Sequence, residues 1–301
     1  MKPLVRFLIQ GKFNACVAAF ILSLVAILLR SYAPSVAVLF LSTILLFLAV
    51  TIVSLVTFEK GPWLGLKALV WVLLPALSFD YYIHSAMVNV VFIIEACMVW
   101  CLSTLVYRQL SWADILTIVM VLGIVVLLII DVFYSSYMYG IEKEMVAAVK
   151  QLTSGSATSL LSAPAISALL TSTLFFVDAI SILFMMFLAC YGHSLVSDQT
   201  GFAQFYHLRA RKLDLAIVAI AIVLSVTLPR AGLSSGLFGF FMCGVYGQSL
   251  LAAFAKKTQY KHLIWGVSWL GLIFFAGLYF VIMASWGLID GLWRVRGDLF
   301  A

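Results

Sequence analysis

Asp178 and Glu95 each stand near the middle of a long apolar run, where a carboxylate must have a partner, a proton or water. Even on the most lenient scale an acidic side chain at the centre of a bilayer costs ~2.5 kcal/mol. Thr171 and Ser181 lie seven residues before and three after Asp178, on one helical face, so that face carries a polar stripe. Glu95 has apolar Val91, Met98 and Val99 around it, and Gln248 places an amide inside a later run. These five residues, Asp178, Glu95, Thr171, Ser181 and Gln248, are the substrate-binding candidates. Two readings of them stand. They either bond helix to helix with no ligand, or they line a cavity for a cation, a proton or a polar solute. Lys67, one turn into a short apolar run, is a candidate counter-charge.

No catalytic residue, metal site or cofactor is expected. Gly232-Leu233-Ser234-Ser235-Gly236 matches GxSxG in form, but a nucleophile elbow needs a strand before it and a helix after it. The blander account is a flexible turn ahead of a helix. An intramembrane serine protease would want a histidine deep in a partner helix, and His84, His193, His207 and His262 all fall at run ends or in loops. Cys16, Cys97, Cys101, Cys190 and Cys243 all lie within apolar runs; Cys97 and Cys101, four apart, form neither a CxxC pair nor a zinc ribbon. No Walker loop, HExxH, EF-hand loop or GxGxxG is present.

The elements that must hold these groups are membrane helices. Hydrophobic residues make up 65% of the 301 and charged residues 10%, and the mean hydropathy is +1.17. A soluble domain of this length needs far more surface charge. Nine apolar runs are legible: Asn14–Leu29, Val36–Phe58, Leu64–Phe79, Met87–Val106, Ile115–Phe133, Ile166–Leu195, Leu213–Leu228, Leu237–Phe254 and Leu263–Met283. The longer ones approach the ~20 residues that cross ~30 Å of hydrocarbon. The expectation is an all-α polytopic transmembrane bundle of eight to ten spans, forming one integral membrane domain over residues 1–301. The third run contains Pro75, and the last could instead be a tight hairpin of two short helices within Leu263–Trp293. Ile141 to Leu152 reads as a short amphipathic helix on the outer interface, a plain connector or a lid, with a Ser/Thr/Gly-rich linker after it.

Net charge is +6, and the basic residues sit in short loops, which is a topology signal and not a nucleic-acid face. An N-terminus in the cytoplasm puts twelve of the eighteen Lys and Arg inside, and fourteen if the last run is a hairpin. Lys2, Arg6 and Lys12 ahead of the first run resemble a signal peptide, but Arg30 and Pro34 crowd the cleavage site, so an uncleaved first span is expected. Ser235, Gly239, Cys243 and Gly247, at intervals of four, form a small-residue stripe expected to pack against another helix of the bundle.

The loop Gly201-Phe202-Ala203-Gln204-Phe205-Tyr206-His207-Leu208-Arg209 resembles the GF-x-x-(E)F-x-x-LR signature of the YybS-like family, bacterial inner-membrane proteins of unknown function. Thr57-Phe58-Glu59-Lys60-Gly61 with Gly65-Leu66-Lys67, Tyr107-Arg108-Gln109-Leu110-Ser111, and Gly287-Leu288-Ile289-Asp290 with Arg294 and Arg296 resemble three further stretches of that family, in the same order. Gln204 stands where the family has a glutamate, and Tyr191 and Gly192 where it has tryptophans. The family is distantly similar to substrate-capture subunits of energy-coupling-factor vitamin transporters and to the cell-shape protein MreD, a likeness of fold that transfers no ligand residue. The resemblance implies a bacterial inner-membrane location. Two functions are expected. Asp178, Glu95, the long sixth run and the candidate outer lid point to binding or transport of a small solute or ion. The small-residue stripe, the basic inner loops and the lack of catalytic chemistry point to a scaffold, similar to MreD, that docks other membrane proteins through cytoplasmic loops, with Phe202, Phe205 and Arg209 as the docking residues. The bilayer itself is the one partner common to both.

Overall fold

The computed structural model describes residues 2–11, 13–32, 35–83, 86–133, 163–196, 207–274 and 276–293. Among these the chain forms eleven α-helices and no strand. They are α1 (Lys2–Gln10), α2 (Asn14–Tyr32), α3 (Val36–Lys60), α4 (Pro62–Ile83), α5 (Ala86–Tyr107), α6 (Trp112–Phe133), α7 (Ala163–Ser194), α8 (Lys212–Thr227), α9 (Pro229–Lys257), α10 (Lys261–Phe274) and α11 (Ala276–Trp293). Four stretches are long and apolar enough to cross a bilayer: Val36–Lys60, Trp112–Ile130, Ala168–Ser194 and Gly232–Lys257. The N-terminal pair α1 and α2 adds a fifth if it counts as one broken span. Pro62–Ser78, Val91–Tyr107 and Gly277–Trp293 are shorter apolar helices. Helices close every backbone hydrogen bond within themselves, which is why apolar runs take this form in lipid. The protein is a multi-pass integral membrane protein. The expected amphipathic segment, Ile141 to Leu152, lies outside the described residues.

The chain divides into two compact units. The first comprises Met1–Ser111 and Ile180–Gln204. Small residues set its packing: Ala19, Ala26, Ala49, Ala68, Ala76 and Ala96 have no exposed surface. Buried serines add interhelical bonds. Ser23 Oγ donates to Val72 O at 2.8 Å, joining α2 to α4, and the Ser54 and Ser103 hydroxyls are 2.6 Å apart, joining α3 to α5. Gly61 turns the chain between α3 and α4 at φ 88°, a left-handed value that favours glycine. Its N–H bonds to Thr57 O at 3.0 Å, closing the last turn of α3. Pro62 then opens α4 at a position that needs no N–H donor. Glu59 Oε1 and His193 Nδ1 lie 3.5 Å apart, tying the end of α3 to the end of α7.

The second unit comprises Trp112–Ala179 and Phe205–Ala301. Its axis is α9, which packs on α6, α8 and α11. Gly123 leaves the space that the buried Phe238 ring fills. Ser172 on α7 donates to Ser234 O at 2.9 Å, and Phe176 packs edge-on against Phe280 at 5.0 Å.

One local expectation is corrected. Gly232 to Gly236 is not a flexible turn but part of the continuous helix α9, which Pro229 starts. Its small residues serve packing: a Cβ on Gly236 would lie 3.5 Å from Ile222. Of the two readings of Leu263–Trp293, the structure has the pair of short helices, α10 and α11. Tyr279 holds them together, its hydroxyl 2.6 Å from Ser268 Oγ and its ring against Gly271.

Candidate functional site

Helix α7 runs for 32 residues, and Asp178 falls near its middle. Ten residues separate Asp178 from Ala168, where the candidate span begins, which at 1.5 Å per residue places the carboxylate about 15 Å into it. Asp178, Thr171 and Ser181 are all half-buried. They lie along the margin between the exposed apolar face of Leu174, Val177 and Phe184 and the buried face of Phe176, Ala179 and Ile182. Among the described residues no hydrogen bond or ion pair engages Asp178. Among these residues it is an acceptor without a donor, at the depth where a bare carboxylate is most costly.

The other sequence candidates are dispersed. Glu95 is half-buried on α5 and belongs to the first unit, whereas Asp178 belongs to the second. Lys67, the suggested counter-charge, is exposed on α4 with its Nζ 5.9 Å from the centroid of the Trp63 ring. Gln248 on α9 donates through Nε2 to the Tyr279 hydroxyl, so its amide joins α9 to α11. Arg209 is half-buried, and its Nε donates to Asp290 O at 2.9 Å, at the C-terminal end of α11. A cation there offsets the partial negative charge of the helix end. Phe202 and Phe205 lie outside the described residues. In the small-residue stripe, Gly239 faces Val218 of α8 and Ile124 of α6, Gly247 abuts Met283 O of α11, Cys243 O abuts Gly287, and Ser235 is fully buried.

Sequence reasoning missed a well-connected polar group of the second unit, Asp214. It has no exposed surface. It occupies the third position of α8, and its Oδ2 accepts the backbone N–H of Arg211 at 2.8 Å, the return bond of a capping box. The same oxygen accepts the Tyr246 hydroxyl of α9 at 3.0 Å, and Oδ1 accepts the Thr117 hydroxyl of α6. The Arg211 guanidinium lies above. Its Nη1 donates to Asp114 Oδ1 at 2.6 Å, its Nη2 to Thr117 Oγ1 at 2.6 Å and to Ala113 O at 3.1 Å, and its Nε is 3.7 Å from Asp214 Oδ2. The bond to Asp114 is the leading cause that holds the Arg211 pKa above its already high ordinary value. One cation lies between two carboxylates, and a tyrosine and a threonine hydroxyl donate to the buried one, so this cluster ties the starts of α6 and α8 to α9. Its one legible signal was the spacing of Arg211 and Asp214 at the start of a run.

Against this geometry, comparison of the chain with protein-family models, with curated proteins and with solved structures finds no match in any of the three.

Proposed function

We propose that this protein binds or carries a small cationic or protonatable solute in the bacterial inner membrane, with its N-terminus in the cytoplasm and Asp178 as the residue that meets the solute. The observation that carries this is the contrast between the two mid-sequence aspartates of the second unit. Asp214 has three donors around it, whereas Asp178, half-buried on the α7 polar stripe, has none among the described residues. A cation, a proton or a donor group on a solute meets the need that the described residues leave open there. The resemblance to the YybS-like family, and through it to substrate-capture subunits, supports the same reading, as does the excess of Lys and Arg in the loops assigned to the cytoplasm. Binding, and not bond making or breaking, is the task this assigns.

The test is thermal unfolding of the full chain in detergent against alkali and alkaline-earth cations, primary and quaternary amines, and neutral polar solutes. A ligand present at about 100 times its Kd adds about 2.7 kcal/mol, or roughly 5 °C for a chain of this size. At least one cationic probe is expected to give such a shift in the native protein, to lose it in Asp178→Asn and to keep part of it in Asp178→Glu. A flat response across the whole panel, or a shift that persists in Asp178→Asn, rejects the assignment.

A further inference from the structure

Helix α1 has three faces. At about 100° per residue, Lys2, Arg6 and Gln10 share an arc of about 80°, Pro3, Phe7 and Leu4 fill the next, and Leu8, Val5 and Ile9 the last. The first face is polar and exposed. The second is apolar and also exposed, with Leu4 and Phe7 more than half so. On the third, Val5 and Leu8 are buried and Ile9 is half-buried. The helix is therefore fastened to the protein by one side only. Phe13, in the turn that follows, is 68% exposed. Among the described residues no hydrogen bond or ion pair engages the side chains of Lys2 or Arg6.

Contacts within the first unit hold α1 at the level where the spans end. The chain bends by 110° between α1 and α2, and α2 packs along α3 and α4. Asn14, which opens α2, donates through Nδ2 to Phe7 O at 2.9 Å, satisfying a carbonyl that the end of α1 leaves open. Lys60, the last residue of α3, donates through Nζ to Gly11 O at 3.2 Å. Val5 rests beside Gly192 in the last turn of α7, where a Cβ would lie 3.9 Å from Val5 Cγ2. Glu59 and His193 put the ends of α3 and α7 side by side. Trp63, on the first turn of α4, is exposed at this same end, and such rings gather at the depth of lipid headgroups. Directed into hydrocarbon, α1 would carry two unpaired cations with it. Directed into water, it would leave Leu4, Phe7 and Phe13 wet.

We propose that α1 is an interfacial helix that lies along the boundary between headgroups and acyl chains, with Leu4 and Phe7 among the acyl chains and the Lys2–Arg6 edge against phospholipid phosphates. Helix α2 then crosses by itself, and α1 is not half of a broken span. Two observations select phospholipid as the occupant. The free faces of α1 are continuous with the ends of the spans, where the bilayer surface lies. The cationic edge also adjoins the apolar one around the helix, in the order in which phosphate adjoins hydrocarbon across a leaflet.

The experiment reconstitutes the full chain in vesicles of phosphatidylcholine and phosphatidylglycerol. The vesicles are doped with phosphatidylcholine that carries a diazirine either near the glycerol or at the end of an acyl chain. After irradiation the labelled residues are mapped by mass spectrometry. Leu48, exposed near the middle of α3, reports the bilayer centre. In the native protein the shallow probe is expected to label Leu4 and Phe7 at least about five-fold more than the deep probe does, with the reverse order at Leu48. Leu4→Ser/Phe7→Ser should cut shallow labelling of α1 several-fold and leave Leu48 unchanged. K2E/R6E should do the same in vesicles that contain phosphatidylglycerol but not in phosphatidylcholine alone. Deep-probe labelling of α1 at the ratio seen for Leu48, no lipid labelling of α1 in the native protein, or labelling indifferent to either double variant overturns the proposal. The measurement on the native protein stands even if a variant fails to fold. None of these readouts depends on Asp178.

Discussion

Asp214→Ala lowers the stability of the detergent-solubilised protein by about 3 kcal/mol or more, the largest loss expected from any single change in the polar cluster. The size follows from what is left behind. Asp214 is fully buried, and three donors converge on its two oxygens. Without it, the Tyr246 hydroxyl and the Arg211 backbone N–H are buried without an acceptor, at about 1–3 kcal/mol for each such group. Arg211 also loses the buried one of its two carboxylates. Its other partner, Asp114, is a weaker support. Both side chains of that pair are about 40% exposed, so solvent screens it and Asp114→Ala costs about 1 kcal/mol or less. Tyr246→Phe removes one interhelical donor and should cost about 0.6 to 1.7 kcal/mol, the range measured for such bonds in membranes. The order Asp214→Ala, then Tyr246→Phe, then Asp114→Ala is checked by unfolding midpoints in mixed micelles. A double-mutant cycle of Asp214→Ala with Tyr246→Phe should show coupling, because the tyrosine has nothing to bond once the aspartate is gone. Equal effects of all three substitutions would mean that Asp214 is not the hub of the cluster.

Why Asp214 escaped notice while Asp178 did not is a matter of distance along the chain. An aspartate three residues after an arginine at the start of an apolar run reads as a solvated charge at a membrane surface. Its burial depends on Thr117, 97 residues earlier, and Tyr246, 32 residues later, and no local pattern links those positions. The helices themselves were legible because lipid leaves an apolar run no other way to satisfy its backbone. Thus α3 begins at Val36 as expected, and α6 ends at Phe133. Gly232 to Gly236 reads as a turn by the habits of soluble loops, where glycine and serine mark turns, whereas within a membrane bundle they mark close helix contact. The tie between α10 and α11, the Gln248–Tyr279–Ser268 chain, was not legible because its members stand far apart in sequence. The stripe from Ser235 to Gly247 was visible as spacing, but its division between α8, α6 and α11 was not.

That division decides what each glycine of α9 tolerates. A Cβ on Gly247 would lie 1.9 Å from Met283 O, and one on Gly287 would lie 2.0 Å from Cys243 O and 2.9 Å from Gly247 N. These obstacles are backbone atoms of a facing helix, so no rotamer change removes them, and α9 and α11 must separate along their contact. Overpacking of this kind costs about 1–3 kcal/mol where side chains can yield, and more where they cannot. Gly247→Ala and Gly287→Ala should therefore each destabilise the protein by about 3 kcal/mol, despite the better helix propensity of alanine. At Gly239 the nearest atom is Val218 Cγ2 at 3.4 Å, a side chain that can shift, so Gly239→Ala should be close to neutral. Gly266 has nothing within 4 Å, and Gly266→Ala should gain up to about 1 kcal/mol from propensity alone. The double variant Gly247→Ala/Gly287→Ala should cost less than twice either single one, because the separation forced by the first Cβ makes room for the second. Unfolding midpoints of the four single variants and the double variant are enough to check this. If Gly247→Ala were as harmless as Gly239→Ala, the close approach of α9 and α11 would not be what holds the second unit together.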